Sequence, residues 1–507
     1  MKTISLTQPF LIFLFSIILY SCSHSTDVKE NKQKVKTIIT TDGEIDDIDT
    51  FIRLLLYANE FEIEGLIYSS SMWHYKGDGK GTLFTSEMEM TKALYGERTD
   101  LRWPGTLWIE ELITAYNAVY PNLILHDKGY PSPEKLKKMI RVGNIDFEGE
   151  MEKITPGSEW IKEKLLAPDS DDLFLQAWGG TNTIARALKS IEEEYKNTDQ
   201  WETVYQRVSE KAIIYTIMDQ DATYKKYIGI QWPDIRVFYN SFQFAGFAYS
   251  WQRIVPKALQ PYLEGEFMKN SIQNHGPLLD HYYSYGDGKK QKGDEEHIHG
   301  DLSKIKDAQW GSFDQYAFIS EGDTPAFLHL VDVGLANYNH PSFGGWGGRF
   351  VASKTTPSRF EDGEKAADIN TFTGKLDSFF PQTRWTEVIQ NDFAARADWC
   401  VKSYAEANHP PEIGIKQKTQ LQINAGDQKR IEFNSSDPDG DSIQHKAWVY
   451  EEMSTSKASQ IVLSNEAVEL TISPDAKSGE VLHLIIEGKD SGTPPLTRYQ
   501  RILFTIN

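Results

Sequence analysis

A strand pattern that is followed at once by a helix pattern and a second strand pattern restricts this chain to an α/β fold. Residues 35–40 (Val-Lys-Thr-Ile-Ile-Thr) are a β-branched run typical of a buried strand. Apolar residues then recur at helical spacing over residues 48–56, and residues 62–69 predict a second strand. A strand, a helix and a strand within about 35 residues form a βαβ unit, which implies a parallel sheet.

The same unit recurs further along the chain. Residues 173–178 predict a strand, residues 179–182 a turn, residues 184–191 a helix and residues 212–217 another buried strand. Two stretches lack this alternation: residues 74–170 resemble helical insertions, and residues 258–320 fit a long active-site loop. The sequence therefore predicts an α/β domain, with a mostly parallel sheet flanked by helices, over residues 35–408.

The character of the chain changes after His409-Pro410-Pro411, which has the composition of a linker. Helical periodicity is missing beyond it. Short alternating segments at residues 419–423, 461–463, 481–486 and 501–505 predict strands. Residues 411–507 are therefore expected to form a smaller all-β sandwich.

The N-terminus has the pattern of a secretion signal. In residues 1–21, Lys2 precedes an apolar stretch that is too short for a confident membrane span, and Cys22 follows directly. This arrangement resembles a bacterial lipobox, which predicts a lipid anchor on Cys22; the alternative is an ordinary signal peptide with an incidental cysteine. Residues 22–34 are polar and predict a flexible tether. We expect a protein exported across the inner membrane and held in the periplasm or at the cell surface.

Composition limits the partners and the redox chemistry. The 507 residues carry a formal charge of −20, which would repel nucleic acid, so we expect none as a partner and expect membrane contact only through the lipid. A cation or a neutral sugar suits this surface better, although acidity also simply aids solubility. With Cys22 lipidated, Cys400 has no partner, so no disulfide framework is expected.

The main chemical signal is an acidic turn between the first strand and its helix. Asp42, Asp46 and Asp47 lie within six residues of one another at the carboxyl end of a buried strand, where parallel sheets bind ligands. Helix capping alone explains one or two such acids, but three close carboxylates repel unless a cation compensates. Hard oxygen donors favour Ca²⁺ over zinc.

The turn from Asp42 to Asp47 resembles the DxDPGxDD signature of nucleoside hydrolases. Together with residues 40–71, 176–183 and 344–349, it is similar to a bacterial family of cellulose-binding proteins with a nucleoside-hydrolase-like domain. The resemblance covers roughly residues 36–400. It implies a nucleoside-hydrolase-like α/β fold, followed by the family's own Ig- or cadherin-like β-sandwich.

The resemblance also implies roles for individual residues in a calcium site. Asp42 matches the residue that binds calcium and activates water as general base. Asp47 matches a bidentate calcium ligand, and Asp46 matches a residue that contacts sugar hydroxyls. Trp178 offers its backbone carbonyl to calcium, and Asp323 stands where the last acidic ligand is expected.

Further substrate contacts rest on weaker patterns. Asn240 matches a ribose-contacting asparagine, and Trp73 and His74 follow the second strand near the expected sugar, although a surface histidine is an equal alternative for His74. Trp346 lies among four glycines in residues 344–349. It either stacks on a sugar from a flexible loop or lies buried beneath a tight one.

Two secondary metal patterns remain open. His297 and His299 would need a third ligand to hold a metal, which leaves that interpretation a minority one. In the C-terminal part, Asp437, Asp439 and Asp441 alternate in a turn like those of calcium-binding cadherin-like modules. A plain polar β-turn is an equal alternative.

Three departures from the signature bear on function. Thr40 replaces the first aspartate, Gly43-Glu44 replaces Pro-Gly, and Gly322 stands where a histidine serves leaving-group chemistry in many nucleoside hydrolases. The first hypothesis is therefore a calcium-dependent hydrolase of glycosidic or N-glycosyl bonds in a carbohydrate or nucleoside-like small molecule. The alternatives are a non-catalytic carbohydrate-binding lipoprotein, for cellulose or another glucan, and a structural lipoprotein with a vestigial site.

Overall fold

The strands of the α/β part are short and mostly apolar, which places them in the protein interior. The computed structural model describes residues 34–294 and 298–507. In this part of the chain the strands that precede residue 400 are β1 (Lys36–Thr41), β2 (Glu62–Tyr68), β3 (Phe84–Thr85), β4 (Glu97–Arg98), β5 (Ile140–Val142), β6 (Leu173–Ala177), β7 (Ala212–Ile217), β8 (Arg236–Asn240), β9 (Val351–Ala352), β10 (Arg359–Glu361), β11 (Asp368–Asn370) and β12 (Lys375–Asp377).

One large sheet organises this part. Its strand order is β5-β2-β1-β6-β7-β8-β10-β9, and every pairing is parallel except that between β10 and β9. Strands β6 and β7 are buried at every position, as expected for a parallel sheet covered on both faces. The predicted α/β fold is therefore confirmed, with β1 near the middle of the sheet.

Helices cover both faces of the sheet. Adjacent β1 residues Ile38 and Ile39 enter different hydrophobic cores, because successive strand side chains point to opposite faces. Helices α1, α3, α11 and α13 contribute to the core that contains Ile39, and α5, α6 and α7 contribute to the other. The helices are α1 (Ile45–Leu56), α2 (Glu89–Tyr95), α3 (Trp108–His126), α4 (Pro133–Lys137), α5 (Pro156–Leu166), α6 (Asn182–Tyr195), α7 (Trp201–Lys211), α8 (Gly229–Gln231), α9 (Trp251–Ile254), α10 (Gly265–Ser271), α11 (Thr324–Leu328), α12 (Phe380–Thr383) and α13 (Thr386–Trp399).

Residues 74–170 differ from the sequence-based expectation. They do contain α3 and α5, but they also supply β5, which pairs with β2 at one edge of the main sheet. The strand is only three residues long and none of its side chains is fully buried, so it carries no periodic signal. This segment is therefore part of the sheet and not only a helical insertion.

The C-terminal part is a sandwich of two four-stranded sheets, as the sequence predicts. The sheets have the orders β13-β15-β18-β17 and β14-β20-β19-β16, and the β14–β20 pairing is parallel. Apolar side chains from both sheets form a separate core between them. The strands are β13 (Glu412–Ile415), β14 (Gln420–Ile423), β15 (Gln428–Ser436), β16 (Ile443–Val449), β17 (Ala458–Leu463), β18 (Ala467–Ile472), β19 (Val481–Asp490) and β20 (Thr497–Ile506).

The sandwich is joined to the α/β part by buried polar contacts, and Val35–Asn507 forms one compact unit. Arg501 on β20 donates to the carbonyl oxygens of Leu335 at 2.6 Å and Phe343 at 2.7 Å. The Tyr450 hydroxyl donates to Asp368 at 2.7 Å. The division into domains at residues 408–411 stays a prediction.

The expected secretion signal, Cys22 and all but the last residue of the tether lie outside the described residues. Within the described ranges, no helix combines the length and the apolar character that a membrane crossing needs.

A fully buried ion pair links the first helix to a distant segment. Arg53 Nε on α1 lies 2.6 Å from Glu321 Oε2, and neither side chain is exposed to solvent. Arg53 Nη2 also donates to Glu321 Oε1 at 2.8 Å and to Gln390 Oε1 at 2.7 Å. The Thr324 hydroxyl donates to Glu321 Oε2 at 2.7 Å, so the pair is hydrogen-bonded on several sides.

We expect Arg53→Met to destabilise the protein by about 3–5 kcal/mol, because Glu321 would be left buried without its partner. Urea unfolding followed by tryptophan fluorescence measures the change. Arg430→Met is the matched control: its pair with Glu469 is solvent-exposed, so the expected loss is below about 1 kcal/mol. Equal losses in the two variants would contradict a structural role for the buried pair.

Candidate functional site

The acidic turn lies at the carboxyl end of β1, between the ends of β2 and β6. Asp42 follows the strand directly and is 1% exposed. Gly43 has φ +82°, and a Cβ there would lie 2.6 Å from Pro104 and 2.8 Å from Trp108, so the turn requires glycine. The chain then enters α1, which places Asp46 and Asp47 on its first turn.

Three carboxylates converge at this point. Asp46, Asp47 and Asp323 each offer an oxygen, and these oxygens all lie within 4.8 Å of one another. Asp323 comes from the turn before α11, so the structure brings together residues that are far apart in the chain. We call Asp46, Asp47 and Asp323 the acidic cluster. The Thr41 hydroxyl donates to Asp47 Oδ1 and helps to hold that side chain.

Asp42 lies beside the acidic cluster in a tightly packed position. A Cβ on Gly179 would lie 2.9 Å from the Asp42 carboxyl carbon, so the turn after β6 closes against it. Its Oδ1 accepts from the Glu44 backbone N–H at 3.4 Å, and its Oδ2 lies 3.8 Å from His74 Nδ1. Burial acts to raise the pKa of Asp42, but His74 and neighbouring hydrogen-bond donors together lower it.

His74 belongs to a buried charged network above the turn. Its Nε2 lies 3.3 Å from Asp294 Oδ1, and Arg102 contacts the same carboxylate. Burial and Arg102 act to lower the pKa of His74, but Asp294 and Asp42 outweigh them and raise it to about 9. At neutral pH, His74 is therefore positively charged beside Asp42.

Side chains from irregular segments cover the turn. The Tyr249 hydroxyl donates to Glu44 Oε1 at 3.1 Å, and Gln291 Nε2 donates to the Gly43 carbonyl at 2.6 Å. Sequence reasoning missed Arg102, Tyr249, Gln291 and Asp294, because they come from segments without helix or strand periodicity. A weak signal existed for Gln291 and Asp294, which lie in the expected active-site loop.

The acidic cluster is electrostatically unfavourable by itself. Burial is the largest cause that raises the pKa values of Asp46, Asp47 and Asp323 well above the usual range, and the neighbouring carboxylates raise them further. Asp42 contributes to the shift of all three. These carboxylates would ionise together only if a positive charge compensated them.

The residues of the cluster fit a hard divalent cation. All the side-chain donors are carboxylate oxygens, which calcium prefers. Asp42 Oδ2 and Asp46 Oδ1 are buried, and neither has a hydrogen-bond partner among the described residues. An orphaned carboxylate oxygen is costly to bury, and a bound cation would remove that cost.

The Trp178 carbonyl lies at the end of β6 but already has one partner. Gln220 Nε2 donates to it at 2.7 Å, and Gln220 is itself nearly buried. A carbonyl oxygen has a second lone pair, so this bond leaves room for one further contact. The role of Trp178 as a calcium ligand stays a prediction.

Two of the predicted substrate residues lie close to the turn. His74 is fully buried, so it is not the surface histidine of the alternative interpretation. Trp73 is half-buried, and its backbone N–H donates to Ser71 Oγ at 2.9 Å. The substrate contacts of both residues stay predictions.

Asn240 is fully buried at the end of β8 and is held from both sides of its amide. Its Nδ2 donates to the Tyr215 hydroxyl at 3.0 Å, and its Oδ1 accepts from the Phe244 N–H at 2.9 Å. These bonds explain its burial without a ligand. A ribose contact stays a prediction.

The prediction that Trp346 stacks on a sugar is wrong. Trp346 has no exposed surface, so no ring face is open to a ligand. The surrounding glycines serve close packing: a Cβ on Gly347 would lie 2.5 Å from His329, and one on Gly344 would lie 2.8 Å from the Tyr450 hydroxyl. Of the two alternatives for this loop, the structure shows the tight loop with a buried tryptophan.

The secondary metal patterns have mixed outcomes. His297 lies outside the described residues, and the His299 ring stacks on Tyr249 with ring centroids 5.5 Å apart. The carboxylates of Asp437, Asp439 and Asp441 do converge within 4.8 Å. The backbone N–H groups of Asp439 and Asp441 donate to Asp437 Oδ1, as they would in a polar β-turn without calcium. Calcium binding there therefore stays a prediction.

One solved structure in particular agrees with this fold. Of the solved structures, a nucleoside hydrolase-related hypothetical protein from Saccharophagus degradans, associated with carbohydrate metabolism, is 25% identical, with a TM-score of 0.67 over 94% of this chain and 100% of that one. The effector protein XOO4466 and the type III effector XopQ, the latter complexed with adenosine diphosphate ribose, are each 11% identical over 73% of this chain and 95% of theirs, with TM-scores of 0.35 and 0.37. No curated protein matches the chain.

Family models identify both parts of the chain. Residues 36–350, more than half of the chain, match the model for the nucleoside hydrolase-like domain of cellulose-binding Sde182. Residues 431–506 match the C-terminal domain of cellulose-binding protein Sde0182. The chain therefore belongs to the family of Sde182-type cellulose-binding proteins with a nucleoside hydrolase-like domain.

Proposed function

We propose that this protein is a calcium-dependent hydrolase that cleaves a glycosidic or N-glycosyl bond in a carbohydrate or nucleoside-like small molecule. The observation that carries the proposal is the convergence of Asp46, Asp47 and Asp323 within 4.8 Å beside the buried carboxylate of Asp42. Carboxylates that are buried close together destabilise the folded state, and a structural role alone does not require them.

The residues of the site would have two tasks, which are to hold the ion and to accept a proton. Asp42, Asp47, Asp323 and the Trp178 carbonyl would hold the calcium ion. A bound calcium ion supplies Lewis-acid polarisation of a coordinated water. Asp42 has a lowered pKa, so it is ionised at neutral pH and ready to accept a proton.

The bond changes balance without a further cofactor. The water oxygen bonds to the anomeric carbon as Asp42 accepts its proton. The bond from that carbon to the leaving group breaks, and its electron pair departs with the leaving group. That group takes a proton from solvent, because Gly322 offers no side chain that could donate one.

The family description and the surroundings of the turn support a carbohydrate as the substrate class. The family models carry the description cellulose-binding, which supports a carbohydrate ligand. Trp73, next to His74, is half-buried and is the nearby aromatic ring that we expect to contact a sugar face. We also propose that Cys22 carries the lipid that holds the exported protein in the periplasm or at the cell surface.

A second candidate function is carbohydrate binding without turnover. Gly322 favours it, because the residue that assists the leaving group in related hydrolases is missing. Coverage of the turn by Tyr249 and Gln291 favours it too, since a substrate must displace these side chains to reach Asp42. In this case the acidic cluster would hold calcium for sugar recognition alone.

We expect the purified protein to bind one calcium ion at the acidic cluster and Asp47→Ala to lose this binding. Removing Asp47 takes away a buried ligand of the central trio, so the affinity should fall at least tenfold. Isothermal titration with CaCl₂ measures it, and Asp199→Ala, at an exposed aspartate, is the control. A wild-type protein that binds no calcium here would refute the proposal.

Asp42→Asn separates hydrolysis from binding. At saturating calcium, we expect turnover to fall at least about 100-fold, because an amide cannot accept the proton of the attacking water. Release of nitrophenol from nitrophenyl glycosides and of base from nucleosides measures turnover. A wild-type protein that binds oligosaccharides but turns over none of these probes would support the second candidate function.

The stabilisation by calcium should grow with pH. The raised pKa values of Asp46, Asp47 and Asp323 mean that, without a cation, their contribution to stability is present below about pH 4 and lost as pH rises through their folded-state pKa values. Calcium cancels this loss, so the increase in Tm that it causes should be small near pH 4 and large near pH 8. Differential scanning fluorimetry measures both; a calcium effect that is equal at the two pH values would contradict this account.

A further inference from the structure

We infer that Asp46 is itself a ligand of the divalent cation and that Gly322 is the residue that makes room for it. The inference rests on the proposed function, and it changes the role that the sequence resemblance implies for Asp46, which is contact with sugar hydroxyls. Its basis is the geometry of the acidic cluster and of the segment that carries Asp323.

The carboxylate of Asp46 is placed for an ion. An oxygen of Asp46 lies within 4.8 Å of oxygens of Asp47 and Asp323. Its Oδ1 is buried and has no hydrogen-bond partner among the described residues, and its Oδ2 accepts from the Ser320 hydroxyl at only 3.4 Å. A carboxylate held so weakly by the protein is free to take a cation as its main partner.

A second, independent feature indicates a missing positive charge. Asp42 is 1% exposed and stands beside the acidic cluster, and its Oδ2 also lacks a hydrogen-bond partner among the described residues. A deeply buried carboxylate oxygen without a donor is rare in native proteins unless an ion or a water satisfies it. Two such oxygens around one cluster therefore favour a bound cation.

Gly322 explains why Asp46 can take this position. A Cβ at residue 322 would lie 2.8 Å from Asp46 Oδ2, closer than side-chain atoms approach, whereas the next neighbours, Phe244 and Ala248, would be 3.5 Å and 3.8 Å away. The φ of Gly322 lies outside the left-handed region, so the backbone does not demand glycine there. Among these three neighbours of an added Cβ, Asp46 is therefore the one in tight contact.

The absence of a side chain at residue 322 and the position of Asp46 are therefore linked in this structure. A histidine at residue 322, like any other side chain, would begin with a Cβ 2.8 Å from Asp46 Oδ2. In this chain Asp46 joins Asp47 and Asp323, so sugar hydroxyls must be bound by other groups. His74 is buried beside Asp42, with its Nδ1 3.8 Å from Asp42 Oδ2, and we expect it to be one of these groups.

The test is a double-mutant cycle on calcium affinity. Isothermal titration of CaCl₂ into purified wild type, Asp46→Asn, Gly322→Ala and the double variant gives four dissociation constants. We expect Asp46→Asn to weaken binding at least tenfold and Gly322→Ala to weaken it several-fold, because the new Cβ displaces Asp46. In the double variant Gly322→Ala should have no further effect, since the two substitutions act through one carboxylate.

Two controls keep the result interpretable. Asp199→Asn removes an exposed carboxylate outside the acidic cluster, and its affinity should stay within about threefold of wild type, because solvent and salt screen an exposed charge. Thermal unfolding in EDTA checks folding: Asp46→Asn should unfold no lower than wild type, since it removes a repelling buried charge.

The outcomes separate this inference from the proposed function. If wild type binds calcium and Asp47→Ala does not, but Asp46→Asn binds as wild type does, the proposed function stands and the inference is overturned. Additive losses in the double variant would also overturn it, because Gly322 would then act through another group. If wild type itself binds no calcium, the proposed function fails first.

Discussion

The buried ion pair between Arg53 and Glu321 fixes the geometry on which the candidate site depends. Arg53 lies about two turns beyond the start of α1, which carries Asp46 and Asp47, and Glu321 lies two residues before Asp323. The pair therefore ties the two chain segments that supply the acidic cluster. A buried pair gains little stability over apolar side chains, but it admits only one arrangement in which both charges are satisfied. The pair therefore contributes the precise placement of Asp323 more than it contributes net stability.

The same fold also brings the three carboxylates of the acidic cluster close together in the protein interior, where negative charge is least favourable. Parallel strands bring their carboxyl ends to one edge, so the turn after β1 meets the segments that follow β2 and β6. Burial and mutual repulsion raise the pKa values of all three carboxylates of the acidic cluster. Local instability of this kind is typical of sites that bind a ligand, because the ligand supplies the missing charge. The strong Arg53–Glu321 contact next to it keeps the segments from moving apart.

The sequence predicts those features whose residues lie close together in the chain, and it misses those that the fold assembles from distant segments. The βαβ unit and Asp42, Asp46 and Asp47 all lie in one short stretch, so periodicity and the acidic turn were sufficient to predict them. Asp323 followed only from family resemblance, since nothing near it marks a ligand. Arg102 and Asp294 escaped detection because irregular segments bring them to the site, and no spacing rule links residues that are so far apart. Strand β5 escaped for a related reason: three residues are too few to show a period.

The structural role of a glycine is hard to predict from sequence, because glycine permits both a flexible backbone and close packing against a neighbouring residue. Around Trp346 the sequence leaves both meanings open, and the structure shows the second: the glycines let the loop pack against His329 and Tyr450, and the ring is buried. Tyr450 belongs to the sandwich, and Arg501 donates to the carbonyls of Phe343 and Gly344 in the same loop. The loop is thus part of the junction that holds the sandwich on the α/β part. At Gly322 the same ambiguity has a chemical consequence, because the space that the missing side chain leaves is the space that Asp46 needs to approach the other carboxylates.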